Sequence, residues 1–267
     1  MRSASDRRAL LLALALALAG CRGETRRSEN EPTRHDVVTT TAPRLAAHRG
    51  AASQAPENSL AAIRLAFASG ADGVEVDVRL SADRVPVLCH DEDTRRVAGV
   101  ARRVAEQTAA ELAALDLGGG ERIPTLEQAL AAVPDGKILW LDLKVEANEV
   151  DVVLAALPRQ APIMLQAFDL EVLVAARASR PELAGFWLVV GPRDQATGAR
   201  GPIPLVAVER ARAAGIAGLA ADAQGLTPEL IDAARAAHLS LYLWTYPDPA
   251  SARRSAPPGA VWIEAEL

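Results

Sequence analysis

The chain has 267 residues, of which 50% are hydrophobic and 24% charged, with a formal net charge of −5. That balance is globular rather than disordered, and an acidic chain with no basic block excludes a nucleic-acid reader, which needs a basic face. The length suits one large core and falls in the range of single-domain α/β barrels.

Residues 1–20 read as a signal peptide. Arg2, Arg7 and Arg8 precede an unbroken Ala/Leu run from Ala9 to Ala19. That run is shorter than the roughly 20 residues a membrane-spanning helix needs, and it ends in small residues. Leu18-Ala19-Gly20-Cys21 has the pattern of a bacterial lipobox, in which Cys21 is lipidated and becomes the mature N-terminus. The expectation is export, and anchoring to a lipid bilayer through the acylated N-terminus. Residues 21–43 are charged, rich in Thr and Arg, and without apolar periodicity, so they read as a flexible tether. With Cys21 acylated, Cys89 has no disulfide partner and reads as a small buried hydrophobe in an apolar strand.

From residue 44 onward, short apolar runs alternate with helical patterns. The predicted strands are 45–47, 73–80, 85–89, 138–143, 163–167, 185–190, 216–221, 239–244 and 260–263. The predicted helices are 59–69, 125–133, 150–157, 170–178, 206–214, 228–237 and 249–254. Asp169, Thr227 and Asp248 are placed to cap the helices that follow them, and Gly70 and Gly215 to end helices. Alternating βα units over about 220 residues predict a parallel sheet covered by helices. A strand count near eight predicts a single closed (β/α)8 barrel over residues 44–267, with 85–89 as the extra strand or half of a hairpin. No GxGxxG opens the first βα unit, which argues against a dinucleotide fold.

Barrel chemistry gathers at the C-terminal ends of strands, and the reactive residues fall there. His48 ends the first strand, His90 follows the third, Asp142 and Lys144 end the fourth, and Trp244 and Thr245 end the eighth. Glu75 and Asp77 are two apart in a strand and so share a face, with Val74, Val76 and Val78 on the other. Such a carboxylate pair repels itself unless a cation sits with it. Asp142 offers a third oxygen ligand, making a hard site suited to Mg²⁺ or Ca²⁺. His48 and His90 flank the pair in sequence and fit a general acid and base. His35, in the tether, and His238, after a helix, read as structural or solvated. Arg49 and Lys144 add positive charge beside this set, which points to an anionic substrate such as a phosphate ester.

With these residues in place, the chain resembles the glycerophosphodiester phosphodiesterase family. The resemblance rests on His48-Arg49-Gly50, Pro56-Glu57-Asn58-Ser59, the stretch from Gly70 to Val78, and His90-Asp91. Shorter matches follow at residues 123–127, 141–144 and Trp244-Thr245. It implies a TIM barrel, one divalent cation (Ca²⁺ or Mg²⁺) held by Glu75, Asp77 and Asp142, and acid–base work by His48 and His90. It also implies phosphate contacts from Arg49 and Lys144, and places Trp244 on the substrate side. The implied reaction is attack by the substrate's own glycerol hydroxyl on phosphorus, then opening of the cyclic phosphate by water.

Three positions depart from the family pattern. Asp142 stands where Glu is usual, and Ser59 where Thr is common. The last strand runs Trp262-Ile263-Glu264-Ala265-Glu266 instead of ending Thr-Asp, with Glu264 the candidate substitute. Two other readings stay open: a phospholipase D-like barrel acting on sphingo- or lysolipids, and a non-catalytic binding lipoprotein.

Overall fold

A computed structural model describes residues 42–160 and 162–267. The signal peptide, Cys21, His35 and all of the tether up to residue 41 lie outside them. The strands are β1 (Arg44–Ala47), β2 (Gly73–Leu80), β3 (Pro86–Leu88), β4 (Ile138–Leu143), β5 (Ile163–Ala167), β6 (Ala184–Val189), β7 (Gly218–Asp222), β8 (Ser240–Tyr246) and β9 (Ala260–Ala265). The helices are α1 (Leu60–Ala68), α2 (Arg95–Ala98), α3 (Ala109–Ala114), α4 (Leu126–Ala131), α5 (Val150–Ala155), α6 (Leu170–Ser179), α7 (Val206–Ala214), α8 (Pro228–Ala236) and α9 (Pro249–Ser255).

Eight strands run parallel in the order β1-β9-β8-β7-β6-β5-β4-β2, and a β1–β2 pairing closes the ring. The fold is a (β/α)8 barrel. The extra strand is β3, which pairs antiparallel with the end of β2 as a hairpin. The expected caps are present: Asp169, Thr227 and Asp248 accept from the backbone N–H of Glu171, Leu230 and Ser251. The sequence reading missed α2 and α3. They have four and six residues, too short to develop an apolar period. Thr108 does close a capping box with Glu111 at the start of α3, a signal that was there to be read.

Strand alternation divides the core. Val74, Val76, Val78, Leu139, Leu141 and Leu143 face outward beneath the helices. Ala46, Trp140, Phe186, Tyr242 and Trp262 fill the barrel interior. Trp140 packs edge-on against Phe186 and Trp262, with ring centroids 4.9 and 5.4 Å away, and lies 4.2 Å from Tyr242. This cluster crowds any side chain at residue 73. A Cβ on Gly73 would sit 3.0 Å from the Trp262 ring and 3.3 Å from that of Trp140. Above this aromatic floor the inward positions turn polar, and the site begins. A smaller core of Val87, Cys89, Val104, Leu112 and Ile123 supports the excursion that carries α2 and α3.

Trp140→Ala removes the centre of the floor. It is expected to destabilise the fold by about 3–5 kcal/mol, seen as a lower urea midpoint with an unchanged denaturant slope.

Candidate active site

The site starts where β1 and β2 part. They pair only at Ala46↔Gly73 and Ala47↔Val74. Beyond that point the β1 end supplies a turn instead of a strand partner. Arg49 sits there with φ +55° and Gly50 with φ +84°. Gly50 has a second reason to be glycine, because a Cβ would lie 2.6 Å from the Ala62 carbonyl carbon in α1. The turn aims polar groups back at β2. The Arg49 N–H donates to Glu75 Oε2 at 3.1 Å. Asn58, itself in the left-handed region at φ +57°, donates from Nδ2 to Asp77 Oδ2 (2.9 Å) and accepts from the Asp77 N–H (3.0 Å). An asparagine tolerates that backbone conformation well.

Glu75, Asp77 and Asp142 are buried, and each offers a carboxylate oxygen within 4.8 Å of the others. Asp77 and Asp142 lie in register on β2 and β4, which is why two strands deliver three acids to one point. Lys144, two residues beyond Asp142 and on the same face, binds Asp142 Oδ2 at 2.5 Å and Asp77 Oδ1 at 3.3 Å. Arg49 Nε approaches Asp77 Oδ2 at 3.2 Å, and its Nη1 donates to Glu57 at 3.0 Å. The charges are unevenly shared. Burial and the neighbouring Asp77 and Glu264 push the Glu75 carboxyl well up. Burial also lifts Asp142, to about 6, against the pull of Lys144. For Asp77, burial is outweighed by Lys144 and Arg49, so its carboxyl is held below the usual range.

This donor set fits a hard divalent cation. Asp142 Oδ1 is buried without a hydrogen-bond partner, and so is Gln166 Oε1, which lies opposite Asp142 on β5. Buried acceptors are rarely left unpaired. Carboxylate and amide oxygens are ligands of Ca²⁺, and carboxylates of Mg²⁺.

Both histidines have Nδ1 committed. His48 Nδ1 meets Glu266 Oε1 and His90 Nδ1 meets Asp91 Oδ1, each at 2.7 Å. With Nδ1–H donating to a carboxylate, Nε2 is left as the reactive nitrogen. His48 Nε2 lies 4.0 Å from Glu264 Oε1. Burial alone would lower the His48 pKa, but Glu264 and Glu266 outweigh it and raise it to about 9. Glu264 is held in turn by hydrogen bonds from the Tyr242 hydroxyl and from Thr245 Oγ1, the latter at 2.7 Å. Asp91 is drawn down to about 2, chiefly by its hydrogen bond from Arg96.

The remaining sequence-predicted residue, Trp244, donates from Nε1 to the Ala220 carbonyl (2.9 Å) and stands edge-on to Phe168, 5.9 Å away. Phe168 is half-exposed, and Lys144 Nζ lies 5.5 Å from its ring centroid. Thus His48, Arg49, Glu75, Asp77, His90, Asp142, Lys144 and Trp244 all fall on the C-terminal rim. Cys89 is buried, and burial pushes its thiol up to about 11, which suits a small core residue. His238 caps the end of α8 with its N–H on the Arg235 carbonyl. Sequence reasoning missed Gln166, Glu266, Arg79 and Arg96. Strand alternation placed Gln166 inward. Arg79, which donates to the His90 carbonyl at 3.0 and 2.8 Å, continues the inward set Glu75-Asp77. Nothing local to α2 marked Arg96.

A parallel barrel with a buried carboxylate triad and two carboxylate-bound histidines on its C-terminal rim defines a class, and sequence comparison agrees with it. Residues 48–263 match the glycerophosphoryl diester phosphodiesterase family, and the chain belongs to that family. A glycerophosphodiester phosphodiesterase of Caldanaerobacter subterraneus is 39% identical over 100 residues, covering 35% of this chain and 41% of that protein. Human glycerophosphodiester phosphodiesterase 1 is 33% identical over 126 residues, covering 43% of this chain and 38% of the human one. These alignments span less than half the length of those relatives. A phosphodiesterase of Oleispira antarctica, solved with the product sn-glycerol-3-phosphate, superposes with a TM-score of 0.73 at 29% identity, over 85% of this chain and 94% of that one.

A cation entering the triad must displace the proton that burial favours on Glu75. Metal binding therefore releases protons, and its affinity falls as pH is lowered. Calorimetry of Ca²⁺ or Mg²⁺ binding in two buffers of different ionisation enthalpy is expected to show net proton release on binding, and a weaker Kd at about pH 6 than at about pH 8.

Proposed function

We propose that the protein hydrolyses glycerophosphodiesters to glycerol 3-phosphate and an alcohol, using a divalent cation, Ca²⁺ or Mg²⁺, at Glu75, Asp77 and Asp142. The observation that carries this reading is the pair of histidines whose Nδ1 atoms are each held by a carboxylate beside a buried acidic triad. When bound, such a cation neutralises charge on the phosphate oxygens. Arg49 and Lys144 place two further positive groups at the triad for the same phosphate, and Trp244 and Phe168 form a wall for the organic part of the substrate.

The two histidines divide the proton transfers. Glu264 and Glu266 raise the His48 pKa to about 9, which favours His48 as the initial donor, with His90 as the initial base. His90 takes the proton of the glycerol 2-hydroxyl as that oxygen bonds to phosphorus. The bond from phosphorus to the alcohol breaks, and His48 gives the alcohol its proton. Water then attacks the cyclic phosphate, losing a proton to His48. The ring opens at the 2-oxygen, which is protonated by His90, and both histidines return to their starting states.

A non-catalytic binding lipoprotein has no use for two tautomer-fixing carboxylates, so the catalytic reading is favoured. The half-exposed Phe168 beside Trp244 keeps a lysophospholipid in view as a second substrate class. For the N-terminus we propose the lipoprotein assignment: cleavage before Cys21, acylation of that residue, and a tether over 21–43 holding the barrel outside the cytoplasm on a membrane.

His48→Ala is expected to lower turnover of glycerophosphocholine by roughly 10²–10⁴-fold, with EDTA abolishing activity and added Ca²⁺ or Mg²⁺ restoring it. Hydrolysis that survives the substitution contradicts the mechanism, and faster hydrolysis of lysophospholipid than of glycerophosphocholine favours the second substrate class. Cys21→Ser is expected to move the protein from the membrane to the soluble fraction; an unchanged distribution overturns the lipoprotein assignment.

A further inference from the structure

Arg96 lies in α2, on the excursion between β3 and α4 that the eight-fold barrel does not require. α2 has no fully buried residue and adds only the partly buried Val97 to the small core of the excursion. The excursion is held by its small core and by the buried Thr94, whose Oγ1 donates to the Val100 carbonyl at 2.8 Å. Besides His90 and Asp91 at its start, it presents the Arg96 guanidinium to the site. Nε donates to Asp91 Oδ2 at 2.6 Å, while Nη1 and Nη2 donate to Glu57 Oε2 and Oε1 at 2.6 and 2.8 Å.

Both carboxylates lead into the site. The other oxygen of Asp91 holds His90 Nδ1 at 2.7 Å. Glu57 Oε1 also accepts from Arg49 Nη1 at 3.0 Å, and Arg49 in turn meets Asp77 and Glu75. The series His90–Asp91–Arg96–Glu57–Arg49 is therefore continuous, and Arg96 is the link shared by its two halves. We infer that Arg96 is a positioning residue that fixes the orientation of both His90 and Arg49, through Asp91 and Glu57; its effect on turnover rests on the phosphodiesterase reading.

The physical case turns on rotation. A carboxylate held by one oxygen is free to swing about its Cβ–Cγ or Cγ–Cδ bond, and the histidine it holds swings with it. Arg96 Nε occupies the second oxygen of Asp91, so Oδ1 stays on His90. The two Nη groups clamp Glu57 bidentately, so Oε1 stays on Arg49. A planar fork with fixed donors does this; an ammonium is a single point charge and does not. Arg96 is also half-exposed, where ion pairs add little to global stability. Its loss should thus appear in the site before it appears in the melting temperature.

The test uses the full chain loaded with Ca²⁺, and the variants Arg96→Gln, Arg96→Lys, Asp91→Asn and Glu57→Gln, singly and combined. Arg96→Gln is expected to lower kcat by about 10- to 100-fold and to raise KM for glycerophosphocholine. The kcat loss should disappear in the Asp91→Asn background and the KM rise in the Glu57→Gln background, as for groups acting through one another. Arg96→Lys should be impaired nearly as much as Arg96→Gln, although it keeps the charge. Wild-type kinetics in Arg96→Gln, losses that simply add in both backgrounds, or full activity in Arg96→Lys would overturn the assignment. Imidazole ¹⁵N spectra without substrate provide a readout independent of turnover. In Arg96→Gln the His90 nitrogens should shift while those of His48, held by Glu266, stay in place. A His90 shift in a protein that hydrolyses nothing would leave the tie standing and the phosphodiesterase reading refuted. Unshifted His90 nitrogens would refute the tie whatever the activity.

Discussion

Glu75, Asp77 and Asp142 share one buried pocket at the C-terminal end of the barrel, with Glu264 close enough to raise two of them. Two unit charges about 4 Å apart repel by about 4 kcal/mol at an effective dielectric near 20. Much of the local structure answers that repulsion. Lys144 spans Asp77 and Asp142, Arg49 lies on Asp77, Asn58 holds the Asp77 carboxylate and backbone together, and the Arg49 N–H reaches Glu75. These contacts settle Asp77 as an anion. They do not settle Glu75, whose carboxyl stays high, or Asp142 Oδ1, which stays without a partner. The residual imbalance is what a divalent cation removes.

The barrel makes such an arrangement affordable. Its interior is filled below by Trp140, Phe186, Tyr242 and Trp262, so the acids stand on an aromatic floor, Asp77 and Asp142 in register with each other and Glu75 level with Trp140. The Tyr242 hydroxyl crosses from floor to site by donating to Glu264. Glu264 in β9 and Glu266 just past its end then raise the pKa of His48 and hold its Nδ1. The last strand thus does for His48 what Asp91 does for His90. Its departure from the family pattern still brings two carboxylates to His48.

Most of this was legible beforehand, for identifiable reasons. The strands of a closed barrel are buried on both faces, so they read as strong apolar runs, and the polar interruptions at Glu75, Asp77, Asp142 and Lys144 stood out against them. Two-residue periodicity then put those side chains on one face. What stayed hidden depended on partners far apart in sequence. Glu266 meets His48 across 218 positions and Arg96 meets Glu57 across 39; no local pattern encodes either. Helices α2 and α3 are too short for periodicity, which concealed the excursion and with it Arg96. Gln166 was correctly inside a predicted strand, but its unpaired oxygen appears only once Asp142 is seen beside it.

Whether the acidic triad is a divalent-cation site is tested most directly by melting Glu75→Gln against wild type, each with and without Ca²⁺ or Mg²⁺. The account predicts that the variant melts higher than wild type in EDTA, because a neutral amide is spared the penalty that burial beside Asp77 and Glu264 imposes on the Glu75 carboxylate, and that the cation raises the melting temperature of wild type far more than that of the variant. A variant that melts lower than wild type in EDTA, or that gains as much from the cation as wild type does, would contradict it.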